Sequence, residues 1–247
     1  MDYFDVTTLI FEEIYNMKKD PLDANRVQLL KLLLDKSALK QDIAIDCEKV
    51  FDTFKEKIKV ELETLQKSIT DPRIRLSFVD KGKHEIYVYI GSDVLVFNLH
   101  QNIFRLPDNN PLWGTSYFNE KENNGYFGII NVYNFLAESF LQNRLDDHGY
   151  LIGRIFINHE RHFMIEGKGS IGSHFRDPQH LLLNDQLIGV ILQMFFAYAL
   201  QFDLYIPPFE YFSEVSVAQI QYIGNSLKLQ TAKRLGFKMS AEDTDFF

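Results

Sequence analysis

The sequence predicts an α+β fold: a mainly antiparallel sheet of about five strands flanked by helices, with an N-terminal helical section. Three observations carry this reading. Ile43, Cys47, Val50, Phe54, Ile58, Leu62, Leu65 and Ile69 recur three or four residues apart, as on one face of a helix. Beyond Pro72 the apolar period changes to two, and short turns join the successive runs, which pairs neighbours antiparallel. A second pair of alternating runs, around residues 152–166, has the pattern of a hairpin.

In chain order, Val6, Leu9, Ile10 and Ile14 mark a first helix that Asp20-Pro21 ends. Val27, Leu30, Leu33 and Leu34 mark a second, from about Ala24 to Lys36. The third is the long one, stopped by Asp71-Pro72, with Lys55, Glu56, Lys59, Glu63 and Lys67 expected on its outer face. It is expected to lie on a sheet; its mean apolar spacing is nearer 3.6 than 3.5, which disfavours a long coiled coil. Three strands follow: Ile74 to Phe78, Ile86 to Ile90 and Val94 to Leu99, turned by Lys81-Gly82-Lys83 and Gly91-Ser92-Asp93. Bulky Tyr87 and Tyr89 on the second face imply that this face is covered too.

Gln101 to Asn124 lacks periodicity and reads as a long loop, a lid or binding segment, with Trp113 pinning it to the core or stacking on a ligand. Ile129, Val132, Phe135, Leu136 and Phe140 predict a helix from about Phe127 to Asn143. After the hairpin come a buried helix from about Asp185 to Phe202, a turn at Pro207-Pro208 and a last helix from Val217 to Leu235, with Gly236 as its C-terminal stop. Residues 1–71 form the helical section, 72–240 the sheet-containing core and 241–247 a frayed tail, all in one domain.

Composition narrows the function classes. With 46% hydrophobic residues, 22 Phe and 12 Tyr, the chain has ample material for a core. A formal net charge of −8 disfavours nucleic acid as a partner. Cys47 is the lone cysteine, which excludes an intrachain disulfide and a cysteine-based zinc set. The apolar run Leu187 to Leu200 is too short to span a bilayer, for which roughly 20 residues are needed, so a membrane is not expected. The acidic start, interrupted by Glu12 and Glu13, reads as an uncleaved N-terminus of a cytosolic protein.

For the hairpin, a loop at His159-Glu160-Arg161 sets Asn158 opposite His162, Ile157 opposite Phe163, Phe156 opposite Met164, Ile155 opposite Ile165 and Arg154 opposite Glu166. This register gives one apolar and one mixed face, although no glycine is present for the left-handed loop position. It also takes Glu166-Gly167-Lys168 away from the E-x-K pattern of metal-dependent nucleases, because no carboxylate faces it. Gly167-Lys168-Gly169-Ser170-Ile171-Gly172 matches the dinucleotide fingerprint in letters, but it follows the second arm of a hairpin rather than the first strand of a βαβ unit. His148, His159, His162, His174 and His180 cluster in sequence, yet there is no zincin motif and no nucleophile elbow.

Between His148 and His180, Arg154, Arg161, Lys168 and Arg176 outnumber Glu160, Glu166 and Asp177, a local charge of +1 in an otherwise acidic chain. Gly167, Lys168, Gly169, Ser170, Gly172, His174 and Arg176 are therefore the candidate site for a small anionic ligand, with Trp113 as a second contributor. The expected function is non-enzymatic binding of such a ligand or of a protein partner, with no cofactor and no metal. The alternatives are a phosphate-ester hydrolase using His174 or His162 as acid-base, and a structural subunit that pairs, as a homodimer or with a partner, through the long helix.

Overall fold

In the computed structural model, residues 21–145, 147–203, 209, 216 and 217 are described. The expected first helix, the turn at Pro207-Pro208, the last helix beyond Val217 and the tail lie outside them. Pro21 opens helix α1 (Pro21–Lys31), which runs through a π-helical stretch (Leu32–Ser37) into α2 (Ala38–Ser68). The two helices expected here are thus one continuous run, because no Gly or Pro lies between Lys31 and Ala38 to break it. Leu29, Leu32, Leu33 and Leu34 stay exposed on this run, whereas from Ile43 onward α2 buries Cys47, Val50, Phe51, Phe54, Ile58 and Leu62. Lys55 departs from its expected outward position. It is buried, donates to the Gly82 carbonyl at 2.7 Å and pairs with Asp80 at 3.1 Å, fastening α2 to the first turn of the sheet.

The strands are β1 (Leu76–Asp80), β2 (Glu85–Ile90), β3 (Asp93–Leu99), β4 (Phe104–Arg105), β5 (Tyr126–Leu136), β6 (Tyr150–Ile157) and β7 (Phe163–Gly167). Their order is β1-β2-β3-β5-β6-β7, every pair is antiparallel, and the short β4 continues beside β5 beyond the end of β3. The class is α+β as expected, with a seven-stranded sheet rather than about five strands.

The added strand corrects the helix expected over 127–143. Tyr126 to Leu136 is the longest strand and sits between β3 and β6; only Ala137–Leu141, here α4, is helical. A strand buried on both faces reads as a continuous apolar run, and such a run contains matches to a helical period as readily as to a period of two. Its β-branched and aromatic residues, Ile129, Ile130, Val132, Tyr126, Phe127 and Tyr133, favour the strand.

Gln101 to Asn124 is a chain of short elements: β4, a 3₁₀ turn at Pro111–Gly114, α3 (Ser116–Asn119) and a second 3₁₀ turn at Glu122–Gly125. Leu106 and Phe118 from this segment bury Phe127 of β5, with Phe156, Met164 and Trp113 packed around them. At the other end of the same face, α4 brings Phe140 against Tyr87 and Phe135, at ring-centroid distances of 5.0 and 5.2 Å. The second face of the sheet is therefore covered at both ends, as Tyr87 and Tyr89 implied.

After β7 come α5 (Ile171–His174), a 3₁₀ turn and α6 (Asp185–Leu200), whose N-cap Asn184 accepts from Leu187 N at 2.9 Å. Both long helices lie on the first face, and the sheet receives each at a glycine. A Cβ on Gly128 of β5 would stand 2.3 Å from Cys47 Sγ of α2, and one on Gly153 of β6 would stand 2.7 Å from the Phe195 ring of α6. No helix among the described residues is long and apolar enough to cross a membrane.

The Gly128 contact yields a test. Gly128→Ala forces overpacking and should destabilise the fold by about 1–3 kcal/mol. Adding Cys47→Ala removes the sulfur in the way, so urea unfolding of the double variant should show less destabilisation than the sum of the singles, with a coupling of about 0.5–3 kcal/mol.

Candidate functional site

The hairpin of β6 and β7 supports the candidate site, and its register is the expected one: Arg154 pairs with Glu166, Phe156 with Met164 and Ile157 with Phe163. Asn158 N donates to His162 O at 3.0 Å and closes the loop. The left-handed position that lacks a glycine is filled by Arg161, at φ 61°. Its side chain forms a two-pronged pair with Asp46 of α2, Nε at 2.9 Å and Nη2 at 2.8 Å, which offsets the backbone strain and ties the hairpin tip to the long helix. Glu166 is engaged by Arg154 through both Nε and Nη2, the cross-strand partner read from the sequence.

At the tip a polar network joins the hairpin to the 101–125 segment. Asn158, 1% exposed, donates to the Tyr117 hydroxyl at 2.9 Å and the Asn124 carbonyl at 3.2 Å, while its Oδ1 accepts from Glu160 N and His162 N. Tyr117 donates in turn to Glu160 at 2.8 Å, and Lys121 reaches the other carboxylate oxygen at 2.9 Å. Asn124 Nδ2 is spent on the Tyr117 carbonyl, so its Oδ1 accepts from His159 Nε2 at 2.8 Å. His162 stacks on Tyr117 with ring centroids 4.6 Å apart and donates from Nδ1 to the Pro178 carbonyl at 2.7 Å. The electrostatics follow from these contacts: Lys121 and then Tyr117 hold the Glu160 carboxyl below its ordinary range, and burial holds His159 below its own.

The glycine-rich loop leaves the far end of β7. Lys168 N continues the ladder to the Ile152 carbonyl at 3.0 Å. The chain then folds back so tightly that a Cβ on Gly172 would lie 2.3 Å from Gly167 O and one on Gly167 would lie 2.6 Å from Ile171 Cγ2. These two glycines are explained by packing alone. Gly169 is different: exposed, with φ 54°, it is followed by Ser170 at φ −61°, ψ −27°. Adjoining residues of opposite hand turn successive amides toward one side, the geometry of an anion-binding nest. The Ser170 carbonyl accepts from the Ser173 hydroxyl at 2.9 Å and from His174 Nδ1 at 2.7 Å, so His174 carries its proton there and turns Nε2 away. Arg176 donates from Nε to Gly172 O. The Lys168 side chain has an interaction of its own and lies near enough to Tyr198 to act on the phenol's charge.

The structure brings Gly167, Lys168, Gly169, Ser170, Gly172, His174 and Arg176 together and leaves Trp113 apart. Ile171 and Phe175 of the loop belong to the core beneath the helices, whereas Trp113 packs on the opposite face, over the Gly125 backbone, with its indole N–H spent on the Pro107 carbonyl at 2.8 Å. Arg105 lies over the Trp113 ring at 4.8 Å, beside a shallow depression of about 280 Å³ lined by Asp108, Asn119 and Glu122. His162 and His174 stand at opposite ends of β7, a strand ~17 Å long at 3.3 Å per residue, and so do not form one acid-base pair. Burial pushes the Cys47 thiol up to about 12, which keeps it protonated and unreactive at neutral pH. No group of three or more His, Cys, Asp or Glu among the described residues could hold a metal ion.

Tyr117, Lys121 and Asn124 are partners that sequence reasoning missed. The available signal was Asn158, a buried polar residue just past the end of β6 that needs hydrogen bonds from elsewhere. His159 and Glu160 predict an acid-sensitive tip. The folded state binds His159's proton less readily than the unfolded chain, so this contribution is complete above the ordinary value of 6.5 and is lost as pH falls below it. Glu160 adds a further loss as pH falls from its ordinary 4.5 through its lowered folded value. His159→Gln, which keeps a donor for Asn124, should flatten the upper segment of a urea-midpoint-against-pH curve and leave the lower one.

No protein-family model matches the chain, and the curated proteins and the solved structures compared with it gave no match.

Proposed function

We propose that the chain is a cytosolic, non-catalytic binding protein that takes a small anionic group, such as a phosphate or carboxylate, at the loop from Gly167 to Arg176. The observation that carries the reading is the Gly169-Ser170 pair of opposite backbone hand, on an exposed loop. Convergent amides favour an anion most when cations stand close, and Arg176 supplies one: its Nε is committed to Gly172 O, while its terminal nitrogens carry no further bond among the described residues. The positive balance of the 148–180 stretch in a chain of net charge −8 favours the same place. A lone buried cysteine with a protonated thiol is in keeping with a reducing compartment.

A binding role is preferred to catalysis because His174, the histidine on the loop, has no carboxylate partner among the described residues. His174 is bonded to a backbone carbonyl and His162 to another. In a thermal-shift panel of inorganic phosphate, nucleoside monophosphates and nucleoside diphosphates, phosphate-bearing compounds should raise the melting temperature of the wild type. Lys168→Ala and Arg176→Ala should each lose most of that shift, about tenfold in affinity for one charge-assisted contact, with the unliganded melting temperature nearly unchanged. Equal shifts for all three proteins would remove the loop as the site.

A further inference from the structure

The sheet register places one polar residue from each of five adjacent strands in a single row on the face away from the helices. Glu85 pairs with Asn98, Asn98 with Asn131, Asn131 with Arg154 and Arg154 with Glu166. The row crosses the strands at right angles, in the strip between the 101–125 segment and α4. Apolar rows border it: Tyr87, Val96 and Tyr133 on one side, Ile129, Phe156 and Met164 on the other.

The two asparagines in its middle are the observation that asks for a ligand. Asn131 is 9% exposed and Asn98 is half-buried, and neither carboxamide makes a hydrogen bond among the described residues. Neither amide is sealed from solvent, so both present a donor and an acceptor to whatever occupies the strip. Val96, two residues from Asn98 on the same face, is 7% exposed, so an apolar side chain fits this face of the sheet.

The row has a carboxylate at each end, Glu85 and Glu166, with the cation Arg154 one strand in from Glu166. At one end is the Glu85 carboxylate, beside Tyr87, whose phenol is pushed up to about 12 by burial first and by its hydrogen bond to Glu85 second. Toward the other end is Arg154. Its Nε and Nη2 both go to one oxygen of Glu166, and the guanidinium lies 5.3 Å from the Phe156 ring centroid, which leaves Nη1 for a further acceptor. Glu85 and Arg154 are three strand spacings apart, ~14 Å at about 4.8 Å each.

We infer that this row binds a short peptide with free termini, of about four residues at ~3.3 Å per residue, lying across the strands. Its ammonium group meets Glu85, its carboxylate meets Arg154 Nη1, and Asn98 and Asn131 each donate to and accept from a peptide group between the ends. A carboxamide is the side chain whose donor and acceptor match those of a peptide unit. A free amino acid is too short to reach both charges, and a simple anion gains nothing from Glu85. This site rests on strand register and unpaired amides, independently of the glycine-rich loop, which lies toward the helix-covered side of β7.

Titration calorimetry with tetraalanine tests it, against the N-acetylated and C-amidated forms of the same peptide. The free-ended peptide should bind, and blocking either end should weaken binding about tenfold or more, as expected for one charge-assisted contact. Asn131→Leu should abolish binding while leaving the melting temperature equal to or above that of the wild type, which separates loss of a ligand contact from loss of structure. Absence of binding by the wild type at millimolar peptide, equal binding by the blocked forms, or unchanged binding by Asn131→Leu would each overturn the proposal.

Discussion

The close approach of two helices to the sheet is the constraint on which the rest of this structure depends. Gly128 and Gly153 lie on neighbouring central strands, and each leaves room for a side chain from a helix above it, Cys47 from α2 and Phe195 from α6. Without those two gaps the helices would ride higher, and Phe54, Ile58, Ile191 and Leu192, all fully buried now, would lose contact with the strands. Burial of each such side chain contributes about 1.5–3 kcal/mol, so helix height over the sheet governs much of the stability. The depressed reactivity of Cys47 is a by-product of the same fit: the sulfur serves as a filler and its thiol stays protonated.

The opposite face is held by polar chemistry as well as by apolar packing. At the hairpin tip a single buried side chain, Asn158, bonds its own turn, Tyr117 and Asn124, and so joins the 101–125 segment to the strands. Arg161 extends the connection through Asp46 to the long helix. Three stretches distant in sequence thus meet at one turn, and the segment from 101 to 125 is anchored at Trp113 in its middle and at Asn124 near its end. An anchored segment of this kind walls one side of the polar row, as α4 walls the other.

What could be read from the sequence was whatever depends on local pattern. The meander of β1 to β3, the buried helix α6 and the register of β6 against β7 all follow from alternation, turn residues and length, and all agree with the structure. Tyr126 to Leu136 could not be read in that way, because burial on both faces erases the alternation that marks a strand. Lys55 was misplaced for a related reason: the helical period puts it near the edge of the apolar face, and only the tertiary position of Asp80 and Gly82 draws it inward. The separation of Trp113 from the glycine-rich loop lies on another level again. Which face of a sheet a long connection crosses is set by topology, and a helical reading of residues 127–143 hides that topology. The polar row was hidden with it, since Asn131 aligns with Asn98 and Arg154 only when β5 lies between β3 and β6.

The arrangement of both faces depends on β5 lying at the centre of the sheet, and native-state hydrogen exchange followed by NMR measures that directly. Ile129 to Tyr133 bond to β3 on one side and β6 on the other, beneath helices and away from either edge. Their amides should be among the slowest in the protein, exchanging only through global unfolding, together with those of Ile191 to Phe196 in α6. Exchange of 129–133 orders of magnitude faster than that of α6, by local opening, would contradict the placement of β5 and the alignment of Glu85, Asn98, Asn131, Arg154 and Glu166.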